Sequence, residues 1–154
     1  MTTRPTPGDP AAPERLPFFV YGTLRPGQVN HDRFLLGRTV AEEPGSMRGA
    51  VLYEGPGWPY AVEDPRGEIR GELVTPAAAH YAALLAALDE LEDYAPGDPA
   101  NIYERVVREV LPAAGGAARA WVYLAAEPVA RRLRTSGRQV RGGDWPSGSA
   151  RYPE

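Results

Sequence analysis

Phe18-Phe19-Val20-Tyr21-Gly22-Thr23-Leu24-Arg25-Pro26-Gly27 is the stretch from which the fold is read. An unbroken apolar and aromatic run directly after Pro17 predicts a buried strand. The strand stops at Gly22, which adopts backbone angles closed to other residues, and Pro26-Gly27 turns the chain a second time. A core strand running into a glycine turn leaves backbone N–H groups without ladder partners. Such groups can form a concave cluster of donors for a carboxylate or other anion. The same residues also read as a plain strand followed by an ordinary turn, and the rest of the chain has to decide between the two.

Downstream, His31–Leu36 predicts a short helix capped by Asn30 and ended by Gly37. Met47–Tyr53 reads as a strand between glycines. Trp58–Val62 reads as a short strand interrupted by proline, suited to a sheet edge or a pocket mouth, and Arg70–Thr75 as another strand. A long helix is expected to start at Thr75-Pro76, with Thr75 as N-cap and Pro76 in the first turn, and to run to Leu91. Ile102–Leu111 and Ala117–Ala125 follow as strands joined by the turn Ala113-Ala114-Gly115-Gly116. Arg131–Glu154 reads as a loosely packed tail anchored by Trp145. About six strands with one long and one short helix make an α+β domain. The expected organisation is an N-terminal arm at 1–15 without fixed structure, a domain at 16–147 and a tail at 148–154.

The long helix holds an anomaly. At about 100° per residue, Tyr81, Leu84, Leu85, Leu88 and Leu91 fall within a stripe about 120° wide. Glu92 falls in the same stripe, one turn beyond Leu88, whereas Asp89, Glu90 and Asp93 project toward solvent. All four acids sit where the helix dipole disfavours negative charge, by roughly 0.3–1 kcal/mol each at exposed sites. A carboxylate turned into apolar surroundings near like charges has its pKa raised. A raised pKa lets one carboxyl both accept and donate a proton near neutrality. If the helix ends at Leu91, Glu92 swings instead into a solvated loop; helical geometry alone leaves both outcomes open.

Composition narrows the rest. With 154 residues, 43% apolar and 24% charged, the chain suits one globular domain with a substantial core. A net charge of −3 offers no electrostatic footprint for nucleic acid. No apolar run is long enough to span a bilayer. Residues 1–15 lack the apolar core of a signal peptide, which predicts a cytoplasmic protein. The absence of cysteine excludes disulfides, thiol nucleophiles and thiolate metal sites, and two distant histidines speak against a histidine-built metal centre. Every basic side chain other than the histidines is arginine, as a GC-rich bacterial genome would produce. The glycine loop lacks the Gly-Lys-Ser/Thr ending of a phosphate-binding loop, and no serine sits in a nucleophile elbow. Tyr103 and Arg105 share one face of their strand, as do Trp121 and Tyr123 of theirs. These residues can line a pocket or simply fill the core. His31 and His80 read as surface or helix-cap residues.

Taken together, these motifs resemble the γ-glutamylcyclotransferase-like, or AIG2-like, superfamily. The resemblance rests on Tyr21-Gly22-Thr23-Leu24-Arg25 after the first strand and on Leu88-Asp89-Glu90-Leu91-Glu92-Asp93-Tyr94 at the helix end. Tyr103-Glu104-Arg105, Ala120-Trp121-Val122-Tyr123 and Gly143-Asp144-Trp145 add support, so that about residues 16–147 are covered. Asp93 departs from the pattern, which often has glycine there. The resemblance implies a small mixed β-barrel with a helix across it, and release of 5-oxoproline from γ-glutamyl compounds without a cofactor or metal. It implies Glu92 as general acid/base, and Tyr21, Gly22, Thr23, Leu24, Arg25 and Tyr123 as substrate-binding residues. The expected partner is a small γ-glutamyl molecule, with no nucleic acid and no membrane. A short chain with few inserted loops favours a γ-glutamyl amine over glutathione as substrate. The alternative is a non-catalytic binder or regulatory module for a γ-glutamyl or similar anionic ligand.

Overall fold

The computed structural model describes residues 15–145. The arm, apart from Arg15, and the tail expected at 148–154 lie outside the described residues. Five strands form a closed barrel: β1 (Phe18–Val20), β2 (Thr39–Glu54), β3 (Pro59–Pro76), β4 (Tyr103–Pro112) and β5 (Ala118–Ala125). The order around the barrel is β1-β3-β2-β4-β5. All neighbours are antiparallel except β1 and β5, which run parallel at Phe18 and Trp121 and close the circle. The architecture is the expected small mixed barrel, and closure leaves it without a free sheet edge.

The sequence reading counted six strands, and the difference has a physical origin. Trp58–Val62 and Arg70–Thr75 are two segments of one strand, β3, both paired to β2. Between them Asp64-Pro65-Arg66-Gly67 leaves the ladder, since Ala50 pairs with Glu63 while Arg48 pairs with Glu68. The Asp64 carboxylate accepts the Arg66 N–H at 2.9 Å and shapes that excursion. On β2 the answering residue is Gly49, whose φ of 93° belongs to a bulge. Pro59 opens β3, where a missing donor does no harm.

Alternation along β1 divides the core. Phe19 points into the barrel with Met47, Leu52, Ile69, Val110 and Val122. Phe18 and Val20 point outward, under helix α1 (Tyr81–Leu91), and pack with Val74, Tyr81, Leu84 and Leu88. The helix therefore lies on the barrel by the face its periodicity predicts. It begins later than expected. Thr75 and Pro76 finish β3, and a single 3₁₀ turn over Ala78–His80 leads into α1. The paired end of β3 takes residues whose local preference was to open a helix, so tertiary pairing overrides capping preference.

The region 131–136 is not a loose tail either. Helix α2 (Glu127–Ser136) has a proline in its first turn and seats Ala130 against Tyr53 and Val62. Trp145 is buried in the barrel core, as an anchor should be. The short helix over His31–Leu35 forms as a π-helical turn, but Asn30 does not cap it. Its amide instead donates to the Thr23 hydroxyl at 2.9 Å, bracing the glycine loop. His31 begins this turn and pairs with Glu42 at 2.8 Å and Asp32 at 3.1 Å. Burial alone would lower its pKa, but those two carboxylates outweigh burial and hold it raised.

Candidate active site

Where β1 ends, the chain turns at once: the Arg25 N–H closes on the Gly22 carbonyl at 3.0 Å. Among the described residues, no turn or loop hydrogen bond uses the N–H of Tyr21, Gly22, Thr23 or Leu24. Those four residues line a cavity of about 520 Å³. A Cβ at Gly22 would lie 2.9 Å from Pro59 Cδ, so the loop can lie this close to the start of β3 only with glycine there. The Tyr21 hydroxyl donates to the Tyr123 carbonyl on the neighbouring strand β5 at 2.5 Å.

Glu92 lines the same cavity. It is the C-cap residue of α1, and a Schellman arrangement locks the helix end around it. The Tyr94 N–H reaches the Asp89 carbonyl at 2.8 Å and the Asp93 N–H reaches the Glu90 carbonyl at 3.0 Å. Asp93 takes the left-handed position with φ 56°. Glycine is the residue most suited to such a helix end, and aspartate also tolerates this conformation.

The Glu92 carboxyl makes no hydrogen bond or ion pair with any described residue. Burial raises its pKa from 4.5 to about 7. The neighbouring acids invoked from sequence contribute little: Arg105 meets the Asp89 charge, and exposed Glu90 and Asp93 stand in screening water. Burial also raises the Tyr21 hydroxyl well above its usual value, and the charge of Glu92 adds to that. It raises Tyr103 as well, with Tyr21, Glu92 and Tyr60 contributing. The Glu92 charge is thus felt by both Tyr21 and Tyr103, which line the same cavity.

Asp89 corrects the sequence reading, which sent it into solvent. The Arg105 Nε donates to its Oδ1 at 2.8 Å and the second guanidinium nitrogen to its Oδ2 at 3.2 Å. The Tyr123 hydroxyl donates to the same Oδ1 at 2.6 Å. Arg105 also lies over the Trp121 ring at 4.3 Å and the Tyr94 ring at 5.4 Å. A chain of contacts therefore ties the end of α1 to β4, β5 and, through the Tyr123 carbonyl, the loop tyrosine. No local signal marks Asp89, because its partners come from strands far along the sequence.

Of the predicted site residues, Tyr21, Gly22, Thr23, Leu24, Tyr123 and Glu92 meet around one cavity, and Arg25 does not. Its guanidinium turns away to Glu72 at 2.8 Å, Asp144 at 2.7 Å and the Trp145 carbonyl at 2.5 Å. Arg25 is a strut that moors the back of the loop. The outer wall is built by Trp58–Val62, the stretch read as suited to a sheet edge or a pocket mouth: Trp58 and Tyr60 meet edge to face and Tyr60 stacks on Tyr103. Among the described residues no group of His, Cys, Asp or Glu is arranged to hold a metal ion, and no helix is long and apolar enough to cross a membrane.

A small mixed barrel whose glycine loop and a largely buried carboxyl line one cavity defines a class of small-molecule site. Comparison with known proteins names the family: residues 18–147 match the family described as gamma-glutamyl cyclotransferase, AIG2-like, and the chain belongs to it. It is similar to the gamma-L-glutamyl-butirosin B gamma-glutamyl cyclotransferase of Niallia circulans. The two are 33% identical over 110 residues, covering 69% of this chain and 64% of that protein, so the match spans just under two thirds of the relative's length. A putative gamma-glutamylcyclotransferase of Halalkalibacterium halodurans is 35% identical over 98 residues, covering 63% of this chain and 78% of that one. Among solved structures, the fold matches an AIG2-like protein of Mus musculus with TM-score 0.57 at 24% identity, over 72% of this chain and 77% of that chain. It also matches an uncharacterized protein of Pyrococcus horikoshii with TM-score 0.59 at 23% identity, over 89% and 95% of the respective chains.

Proposed function

We infer that this protein is a γ-glutamyl cyclotransferase that releases 5-oxoproline and a free amine from a γ-glutamyl amine or related amide. The observation that carries this reading is the Glu92 carboxyl, unpaired and raised to about 7, in one cavity with the Tyr21–Leu24 loop. Family membership and the names of the relatives support it. In this reading the loop N–H groups hold the glutamyl moiety by its α-carboxylate, and Tyr123 helps to wall the site.

The chemistry follows from one ring closure and two protons moved from the attacking nitrogen to the departing one. Ionised Glu92 takes a proton from the substrate's α-ammonium group, freeing the nitrogen lone pair. That nitrogen attacks the γ-carbonyl carbon of its own molecule, and a carbon–nitrogen bond forms as the carbonyl oxygen takes up charge. Protonated Glu92 gives its proton to the departing nitrogen as the carbonyl re-forms and the original amide bond breaks. The same carboxylate then takes the ring nitrogen's second proton and passes it to the freed amine, which leaves as an ammonium. A carboxyl with its pKa near neutrality is populated in both states it needs. Nucleophile and electrophile share one molecule, so the site mainly has to hold the cyclising conformer and stabilise the oxyanion.

The test is a panel of γ-glutamyl compounds incubated with the full chain, with 5-oxoproline and freed amine read by mass spectrometry. Release by the wild type and none by Glu92→Gln is the expected result. Binding of the compounds without release from any of them would instead make the protein a non-catalytic binder. Equal turnover by Glu92→Gln would remove Glu92 from the mechanism.

A further inference from the structure

Asn30 does not cap the turn that follows it, yet it lines the cavity and is held on three sides. Its N–H donates to the Thr23 carbonyl at 2.8 Å, and its side-chain amide donates to the Thr23 hydroxyl at 2.9 Å. Its own carbonyl accepts the Phe34 N–H at 3.1 Å. One residue thus grips both oxygen atoms of Thr23. The grip is anchored to the barrel, because the next residue, His31, pairs with Glu42 of β2 at 2.8 Å.

What the grip controls is the peptide group between Thr23 and Leu24. A trans peptide is planar, with its C=O and N–H pointing in opposite directions. Fixing the Thr23 carbonyl on Asn30 therefore fixes the direction of the Leu24 N–H. The Arg25 N–H acts in the same way one peptide earlier, since it holds the Gly22 carbonyl at 3.0 Å and so sets the Thr23 N–H. Neither N–H has an acceptor among the described residues, although Leu24 is only 7% exposed. Buried backbone donors without partners are rare and costly. Two in succession at a cavity call for a ligand that accepts from both, as a carboxylate does.

We propose that Asn30 is a positioning residue for the glycine loop: by holding both oxygens of Thr23, it aims the Leu24 N–H at the ligand's α-carboxylate. Asn30 acts through Thr23 and needs no bond of its own to the ligand. The proposal rests on the γ-glutamyl reading of the site, which supplies that carboxylate. Asparagine suits the role because its side-chain amide and its backbone N–H both donate.

The experiment titrates the isotope-labelled full chain carrying Glu92→Gln, so that bound ligand is not consumed. The ligands are γ-glutamyl anilide and 4-aminobutyryl anilide, which lacks only the α-carboxylate. Amide NMR reads both titrations. The Thr23 and Leu24 amide protons are expected to move downfield with the first compound and not with the second. Adding Asn30→Ala is expected to weaken γ-glutamyl anilide about three- to tenfold, the scale of one lost hydrogen bond. The Leu24 shift should shrink with it, while 4-aminobutyryl anilide binds as before. Equal weakening of both ligands would show a merely structural role and overturn the proposal. So would unchanged affinity, or no carboxylate-dependent shift at Leu24 in the parent chain.

Thr23→Val removes the same side-chain bond from its other end. The double variant should lose no more affinity for γ-glutamyl anilide than either single one, and additive losses overturn the proposal. Wild-type turnover of γ-glutamyl anilide separates this proposal from the reading beneath it. No release of 5-oxoproline, with the Asn30-dependent shifts intact, defeats the cyclotransferase and leaves Asn30 in its role. Release with shifts indifferent to Asn30 does the reverse.

Discussion

Asp89 and Glu92 leave the same helix within one turn of each other. Asp89 is met by the forked guanidinium of Arg105 and by the Tyr123 hydroxyl, whereas Glu92 finds no side-chain donor among the described residues and is pushed up to about 7 by burial. Similar chemistry has been put to opposite uses. Supplied with donors, a carboxylate at this helix end becomes a structural tie. Denied them, it becomes a group able to hold or release a proton at neutral pH. The difference lies in what crosses over the helix end, since both residues share the helix dipole and neighbouring charges.

The strongest way to break this contrast is to take the proton from Glu92. Glu92→Gln is expected to lower kcat by about 10²–10⁴-fold, the usual contribution of a positioned acid/base. In the wild type, kcat/KM should rise with pH through about 7 as the base form appears. Initial rates of 5-oxoproline release across pH 5–9, a window of about two units either side of that value, measure both.

The same contrast predicts how stability depends on pH. Below 4.5 the carboxyl is protonated in the folded and unfolded chains alike. Between 4.5 and about 7 the unfolded chain ionises while the folded chain keeps its proton, so stability falls as pH rises and levels off above about 7. Glu92→Gln removes that loss. It should be more stable than the wild type at pH 8 by up to about 3 kcal/mol, with the advantage gone at pH 4. Denaturant titrations at the two pH values read the gain.

On the other side of the comparison, Tyr123→Phe removes one hydrogen bond to the Asp89 carboxylate. A stability loss of about 1.5–3 kcal/mol is expected, the scale for a bond to a charged group. Thermal melts measure it, and a variant as stable as the wild type would show that Arg105 alone suffices. The smallest effect concerns the residue after Glu92. Asp93 holds a left-handed conformation that glycine adopts without strain, so Asp93→Gly should stabilise the chain by up to about 1 kcal/mol. A loss of stability would mean that the aspartate side chain contributes a contact of its own.

What could be read in the chain beforehand depended on how local its cause was. β1 and its turn were legible because apolar residues ending at a glycine are a local signal. Helical spacing allowed Glu92 an inward aim above Leu88 but left a solvated loop equally open; α1 does end at Leu91, and the turn that follows keeps Glu92 at the cavity. Asp89 was not legible, because helical projection gives a direction and says nothing of the arginine and tyrosine that arrive there from β4 and β5. Arg25 looked like part of the donor loop by adjacency, but its guanidinium serves Glu72 and the segment at Asp144-Trp145. Turn-forming residues at 64–67 and at 44–45 hid two long strands, because a barrel absorbs Pro and Gly at bulges and bends that an open reading takes as breaks. α2 was missed because three of its ten residues are arginine, and its small buried face is recognisable only once Tyr53 and Val62 stand beneath it.

The tight fit of Gly22 against Pro59 sets where this protein can change its ligand preference. A methyl group at 22 would press on a proline ring that has no room to give, displacing the loop and the strand start together. Val29, Trp58 and Ile102, by contrast, border open water. Redesign of ligand preference therefore belongs at the entrance, while the floor around Gly22 and Pro59 admits almost no variation.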